Sequence, residues 1–282
     1  MLWPLKVRFD CKIWRQRAMM KFGSRPATST VAMLLIAIGA TNAAAADLSV
    51  DQVRAALRSA SASTPADFAG KDLSDLDLTG LDFRKANLRG VSLFASKLVQ
   101  CDFRDATLEG ANLNGAWLMG ADFTGANLNG ASLLSVVVLG GPVKRMPTFK
   151  GASMVGVKMI ADLPGADLSG ADFSRAMVGV NIKNQGMGQM RTDLSGANLE
   201  AATLAGGDFN RSLMAFSNLR GSNLRGVSFF LVKLGGADLT GADVTGADFT
   251  EADLSGTIFR GVKGFSEAKG FDRAENFDKI VR

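Results

Sequence analysis

Hydrophobic residues recur every five positions along most of this chain. From Ala66 onward the sequence divides into units such as ANLNG and ADFTG, whose central residue is Leu or Phe. The residue two positions before the centre is usually small, and Asp or Asn often stands between the two. After a disturbed middle the pattern returns and continues to residue 261, which gives roughly 36 units in all.

A period of five fits neither an α-helix nor a flat strand. Five residues advance a helix by about 500°, so successive central residues would drift by about 140° around its axis. In a flat strand an odd spacing sends alternate side chains to opposite faces. If the chain instead turns a corner every five residues, all central side chains reach one interior, and repeats of this kind predict a solenoid.

The phenylalanines indicate how many corners make one coil. Phe83, Phe103 and Phe123 lie 20 residues apart, which is four units. A later set has the same spacing: Phe209, Phe229 and Phe249. The sequence therefore predicts an all-β solenoid with a square coil, about nine coils long, in which these rings stack.

Four aspartates at a spacing of five raise the question of a catalytic or metal site. Asp238, Asp243, Asp248 and Asp253 each precede a central residue, so we expect them to point outward from four different sides of one coil. Carboxylates that share a cation or a glycosidic bond must lie much closer together. We interpret these acids as decoration of the lattice.

Both ends of the repeat have sequences typical of short helical caps, which would cover the unpaired backbone of a solenoid. In the segment 47–65, Ser49 and Gln52 have capping-box spacing before an apolar stripe. The segment 262–282 loses the period of five and instead repeats Phe every six residues. We predict helical turns there that lay the rings against the last coil.

Two interruptions of the repeat, near 140–148 and 181–192, are rich in Gly and predict loops; the first also holds Pro142 and Pro147. Loops on a rigid scaffold often carry binding function. Before the first interruption, one outward column becomes apolar at Trp117, which is unusual for a surface. The candidate partner surface comprises Trp117, Met119, Val137, Leu139, Lys144, Arg145, Met187 and Met190. Three readings stay open: a loop folds back over the column, a protein partner covers it, or a small ligand lies beneath a loop.

The N-terminal 46 residues have the features of a secretory signal. A charged region is followed by the apolar run VAMLLIAIGA and by small residues before Asp47, where we expect cleavage. Residues 1–19 suggest an extension before the true start, and the alternative to cleavage is a retained membrane anchor. The prediction is an exported protein, periplasmic or extracellular in a bacterium, without a membrane span after cleavage.

Charge and reactive side chains exclude several function classes. Residues 1–46 hold seven of the 32 basic and one of the 27 acidic residues, so the rest has 25 basic and 26 acidic, a net charge of −1. Such a body has no general attraction for nucleic acid. The chain has no histidine, and Cys101 would be the one cysteine left after cleavage, in a position for small buried residues. We predict no cofactor, no metal and no catalytic site.

These units resemble those of the pentapeptide-repeat family, over about residues 66–261. The resemblance implies a right-handed quadrilateral β-helix and very little about activity. Some members of that family protect DNA gyrase from quinolones by imitating duplex DNA, and some of those carry loops that interrupt the helix. This chain differs from them in its export signal, its near-neutral body and its basic middle.

The function expected from the sequence is a non-enzymatic exported scaffold that binds a protein partner through its loops and its apolar side. The alternatives are a gyrase-interacting DNA mimic and a structural protein with no specific partner. The partner is unknown, nucleic acid is not expected, and the protein is expected to be a monomer.

Overall fold

Parallel β-bridges arrange the repeats in four columns. The computed structural model describes residues 46–61, 63–138, 145–179 and 191–282. The first side starts at Asp67, the second at Asp72, the third at Asp77 and the fourth at Asp82, and each is bridged to the residue one coil later. Within the described residues each side carries ten such positions, and the tenth belongs to the C-terminal segment.

Regular secondary structure is short because the chain turns so often. The helix α1 spans Val50–Ser59, and the strands β1 (Ser132–Leu134) and β2 (Lys158–Ile160) form a parallel pair. Two 3₁₀ turns span Phe265–Glu267 and Phe277–Lys279. Among the described residues no helix has the length and apolar character needed to cross a membrane.

Glycine and aspartate make many of the corners between successive sides. In the first unit the Lys71 N–H donates to the Phe68 carbonyl at 3.1 Å, and Gly70 between them has a φ of +66°. This left-handed conformation is the one that a type II turn requires at that position and that glycine adopts without strain. The Asp67 side chain accepts the N–H of Ala69 at 3.0 Å, which closes an Asx turn over the same corner.

The core is a stack of inward side chains, as the spacing of the phenylalanines predicts. The ring centroids of Phe83 and Phe103 are 5.0 Å apart, those of Phe103 and Phe123 are 4.8 Å apart, and both pairs are nearly parallel. Phe149 extends the stack at 4.9 Å. All four rings are fully buried. The prediction that the first three lie one above another is confirmed.

The four spaced aspartates lie where the sequence predicts them. Asp238 belongs to the fourth side, Asp243 to the first, Asp248 to the second and Asp253 to the third. Their carboxylates therefore face in four directions around one coil. Across the part of the chain that is described, no three metal-binding side chains come together.

At the N-terminal end, α1 packs on the first coil. Ser49 and Gln52 form the capping box, with the Ser49 N–H donating to the Gln52 side chain at 2.7 Å. Val53 is fully buried and belongs to the same core as the rings. Asp47 pairs with the otherwise open backbone of Asp72. The Asp47 N–H donates to the Asp72 carbonyl, and the Asp47 carboxylate accepts the Asp72 N–H. The first coil is thus partly covered.

The C-terminal segment differs from a simple cap. It makes the two 3₁₀ turns, but it also continues all four columns, with bridged positions at Lys263, Lys269, Glu275 and Val281. These positions are six residues apart, so each side is one residue longer than in the repeat. The solenoid therefore extends beyond the predicted boundary at residue 261, because the extra residue is absorbed in the turns.

The interruptions change the spacing of the bridges without changing the columns. Asp122 pairs with Thr148, 26 residues on, and Asp162 pairs with Asp193, 31 residues on. Between them Thr148 pairs with Asp167, only 19 residues on. The chain is back in the lattice at Thr148, so the first predicted loop ends earlier than expected.

Replacing Phe103 with alanine should open a cavity in the middle of the stacked rings. We expect a loss of about 3–5 kcal/mol in the free energy of unfolding, the usual cost of truncating a buried aromatic ring. Urea unfolding measures it. The matched control is Phe94→Ala on the same coil, where the side chain is 48% exposed and the expected loss is below about 1 kcal/mol. Equal losses would contradict the stacked core.

Ser212 offers a second test of the interior. Its buried hydroxyl is the one buried side-chain polar atom without a hydrogen bond among the described residues, whereas the Ser217 hydroxyl donates to the Met214 carbonyl at 2.8 Å. Ser212→Ala should raise the free energy of unfolding by about 1 kcal/mol, and Ser217→Ala should lower it by a similar amount. Opposite signs in the same unfolding assay are the expected result; a loss in both would show that Ser212 has a partner in solution.

Candidate functional site

Trp117 projects from the third side of the solenoid. Its backbone is held in the lattice, with its N–H donating to the Ser96 carbonyl at 2.9 Å, and it is bridged to Lys97 and Val137. The side chain is 37% exposed. The neighbouring Lys97 ammonium lies 3.4 Å from the Asp77 carboxylate, so one flank of the indole is charged and the other, toward Val137, is apolar.

Met119 differs from the expectation that it belongs to the exposed surface. It is fully buried, and the corresponding Val99 one coil earlier is nearly so. Next to it in the chain, the Gly120 N–H donates to the Arg145 carbonyl at 2.7 Å, and Arg145 Nη2 donates to the Gly120 carbonyl at 3.0 Å. Met119 is therefore a packing residue and is removed from the partner surface.

The remaining candidates divide into two groups. Val137 is half-buried next to Trp117, and Arg145 is exposed near the following corner. The structure thus brings Trp117, Val137 and Arg145 to one region of the third side. The other four predicted residues lie outside the described part of the chain: Leu139, Lys144, Met187 and Met190.

The apolar character of the third side continues farther along the solenoid. Leu213 occupies the same column as Trp117 and is half-buried. Phe216, at the next corner, is 75% exposed and has a φ of +58°, a conformation that is strained for an aromatic residue. Its ring lies over Gly236 of the following coil, where an added Cβ would approach the ring to 2.6 Å.

Between these two apolar regions the ladder on the third side is open. Among the described residues no bridge joins Val137 to Asp162, although they are consecutive positions of that column. The cause is a short step in the chain: Asp162 follows the bridged Lys158 by four residues instead of five. The ladder bonds that would use the Val136 carbonyl and the Asp162 N–H are missing within that same described region.

A groove of about 370 Å³ lies at this opening. Its lining is mixed, with four apolar and four polar or charged residues: Val136, Ile160, Ala161, Leu213, Ser135, Asp162, Arg191 and Asp193. The sides next to it are closed, because β1 pairs with β2 on the second side and Thr148 pairs with Asp167 on the fourth. The groove is therefore a local gap in one side of a rigid frame.

Asp162 is the exception among the aspartates of the four columns. Within the described residues, fourteen others accept a hydrogen bond from the backbone N–H two residues ahead. Asp162 cannot do so, because the residue two ahead is Pro164, which has no N–H. Asp162 is exposed, but partial desolvation of its carboxylate, and then the nearby Asp193 carboxylate, raise the pKa of Asp162.

Sequence reasoning missed this groove, although a signal was present. The unit ADLPG places proline where the repeat needs an N–H donor. Because proline has no N–H, the Asp162 carboxylate cannot form the Asx turn that the other column aspartates make. The sequence alone does not connect Leu213 with Trp117, because the column that they share depends on the lengths of both interruptions.

Cys101 has no role on this surface. It is buried, and its thiol donates to the Leu78 carbonyl at 3.0 Å. Burial raises the pKa of the Cys101 thiol to about 12, so the nucleophilic thiolate is scarce at neutral pH.

The role of the corner aspartates can be tested at Asp243. Its carboxylate accepts hydrogen bonds from the N–H and the hydroxyl of Thr245 and forms a salt bridge with Arg225. The Thr245 hydrogen bonds, with a smaller contribution from Arg225, hold the pKa of Asp243 below its usual value. A carboxylate whose pKa is lowered by folding stabilises the folded state at pH values above its unfolded pKa, which is about 4. This contribution is lost as the pH falls through the pKa of the folded state. Asp243→Ala should therefore cost on the order of 1 kcal/mol at pH 7 and less near pH 2, where the neutral carboxyl is a weaker acceptor.

The control for this change is Asp243→Asn, which keeps the oxygen that accepts the Thr245 N–H. Its loss at pH 7 should be smaller than that of the alanine variant in the same urea unfolding series. A loss that is independent of pH for the alanine variant would contradict the hydrogen-bonding role of the carboxylate.

Comparison with protein-family models gives one match, to pentapeptide repeats, in eight copies. The matched segments overlap and fall on both sides of the two interruptions: 66–93, 86–125, 101–133, 192–229 and 228–263. A search of curated protein sequences finds no match to this chain.

Solved structures of pentapeptide-repeat proteins are similar to this chain at low identity. HetL, a pentapeptide repeat protein involved in heterocyst differentiation regulation in the cyanobacterium Nostoc sp. strain PCC 7120, is 24% identical over 83% of this chain and 100% of its own, with a TM-score of 0.37. Full-length QnrB1, a plasmid-mediated fluoroquinolone resistance protein, is 18% identical over 73% of this chain and 95% of its own, with a TM-score of 0.38.

Proposed function

This chain belongs to the pentapeptide-repeat family, and we propose that this member is a non-enzymatic, exported scaffold that binds a protein partner through the third side of its solenoid. Proteins of this family are generally structural or binding proteins. We further propose that its coils wind to the right and that the protein acts as a monomer.

The observation that carries the proposal is the exposed indole of Trp117. A partly exposed tryptophan beside half-buried Val137, on a rigid surface, has the properties of the anchors that dominate protein interfaces. Leu213 and the strongly exposed Phe216 extend apolar area along the same side.

The placement of the two interruptions also favours the third side. The first interruption falls between Val137 on the third side and Thr148 on the fourth, and the second falls between Met177 on the second side and Asp193 on the third. The two interruptions therefore border the third side at its two corners. Interruptions of a rigid scaffold often carry binding function.

Export is supported by the first 46 residues, whose charged start, apolar run and small residues match a secretory signal. The remaining chain has a net charge of −1, which gives it no general affinity for nucleic acid. A protein partner in the cell envelope is therefore the partner that we propose.

The experiment is affinity capture from envelope extracts with the tagged full chain. Trp117→Ala should reduce recovery of the specific partner at least tenfold, since anchor residues typically contribute more than about 2 kcal/mol. Phe94→Ala, which removes an exposed aromatic side chain elsewhere, should leave recovery unchanged. Quantitative mass spectrometry compares the three samples.

Unchanged recovery with Trp117→Ala would remove the third side from the proposal. Recovery of the chain only from the cytosol, with residues 1–46 still attached, would contradict export. In that case a supercoiling assay with gyrase would test the alternative that the family resemblance suggests.

A further inference from the structure

The lattice accounts for the other ladder aspartates but not for Asp162. Its carboxylate lacks the usual corner donor because of Pro164, and in the described part of the chain no salt bridge involves either Asp162 or Asp193. The two carboxylates are bridged neighbours on the third side. Arg191 also lines the groove, so its charged residues have a net charge of −1.

Half of the residues that line the groove are apolar. Val136, Ile160 and Leu213 flank the two carboxylates, and the Val136 carbonyl lacks the ladder donor that the repeat would supply. Because the second and fourth sides are closed at ordinary spacing, the opening is too narrow to admit another strand. The space accommodates a side chain.

A group that matches these walls has an apolar stem and a cationic head. Lysine and arginine lay their methylene chains along apolar surface and place the charge at the end. A bare divalent cation fits less well, because such ions take several oxygen ligands and the described residues bring no three acidic side chains together.

We propose that this groove receives a lysine or arginine side chain from a segment of the partner protein, with its charge between Asp162 and Asp193. The inference rests on the proposed function and names the chemistry that the partner presents. Apolar residues on either side of the basic residue pack on Trp117 and Leu213.

The spacing of the third side sets the length of that segment. Trp117 and Leu213 are four coils apart in the column, which is about 19 Å at the interstrand spacing. An extended segment of about six residues spans this distance. The partner motif is therefore a basic residue that lies between two large apolar residues.

The test uses the full chain and three labelled peptides, acetyl-Leu-Ala-Ala-X-Ala-Ala-Leu-amide, with X as lysine, norleucine or glutamate. Fluorescence anisotropy at low salt measures binding. The lysine peptide should bind about fivefold more tightly than the norleucine peptide, as a partly exposed ion pair allows, and the glutamate peptide should bind least. Asp162→Asn should abolish the preference for lysine.

The matched control is Asp167→Asn on the fourth side, one unit later, whose carboxylate accepts the Ser169 N–H. It should retain the full preference for lysine. Asp193→Asn, which keeps the oxygen that accepts the Ser195 N–H, should reduce the preference. Thermal unfolding of each variant confirms that the fold is intact.

Equal binding of the lysine and norleucine peptides to the unmodified chain would overturn the proposal, as would an equal effect of Asp162→Asn and Asp167→Asn. A concentration-dependent dimer that Asp162→Asn abolishes would assign the groove to a second copy instead, which also overturns it. If Trp117→Ala still loses the envelope partner while no lysine preference exists, the proposed function stands and this inference fails. If the preference for lysine depends on Asp162 while Trp117→Ala retains the partner, the charge preference of the groove stands and the proposed function fails.

Discussion

The structure depends on one recurring interaction, the closure of a corner every five residues. A carbonyl and a left-handed residue act together at the corners, and at many of them an Asx turn is added, as in the unit from Asp67 to Lys71. Because each corner sets the direction of the next side, the corners also determine which inward side chains lie in contact in successive coils. The stacking of Phe83, Phe103 and Phe123 is a result of this geometry as much as of the attraction between the rings.

The same constraint explains why so much of the fold could be predicted from the sequence. A period of five leaves few physical solutions, so the four columns, the ring stack and the outward acids all follow from counting residues. The capping box at Ser49 and Gln52 is likewise local, and the structure has it. The continuation of the columns through Lys263 and Val281 could not be predicted, because sides of six residues depend on turns that the repeat does not encode.

The candidate site was less predictable, since it depends on how the interruptions are absorbed. Trp117 stood out because it occupies an outward position, and it is exposed. Met119 occupies an equally outward position in the sequence but is buried, because burial there depends on chain that returns from a loop. The groove near Asp162 arises from a step of four residues, which shifts one side of one coil and leaves the neighbouring sides closed.

The contact between Phe216 and Gly236 has a consequence for how this surface can evolve. The ring rests where a Cβ would stand, so a larger residue at the later position requires the exposed ring to move aside. Related chains should therefore vary at these two sites in concert, with larger residues at the second found where the first is small. Such a pattern of paired change would mark the exposed ring as a retained trait of one lineage.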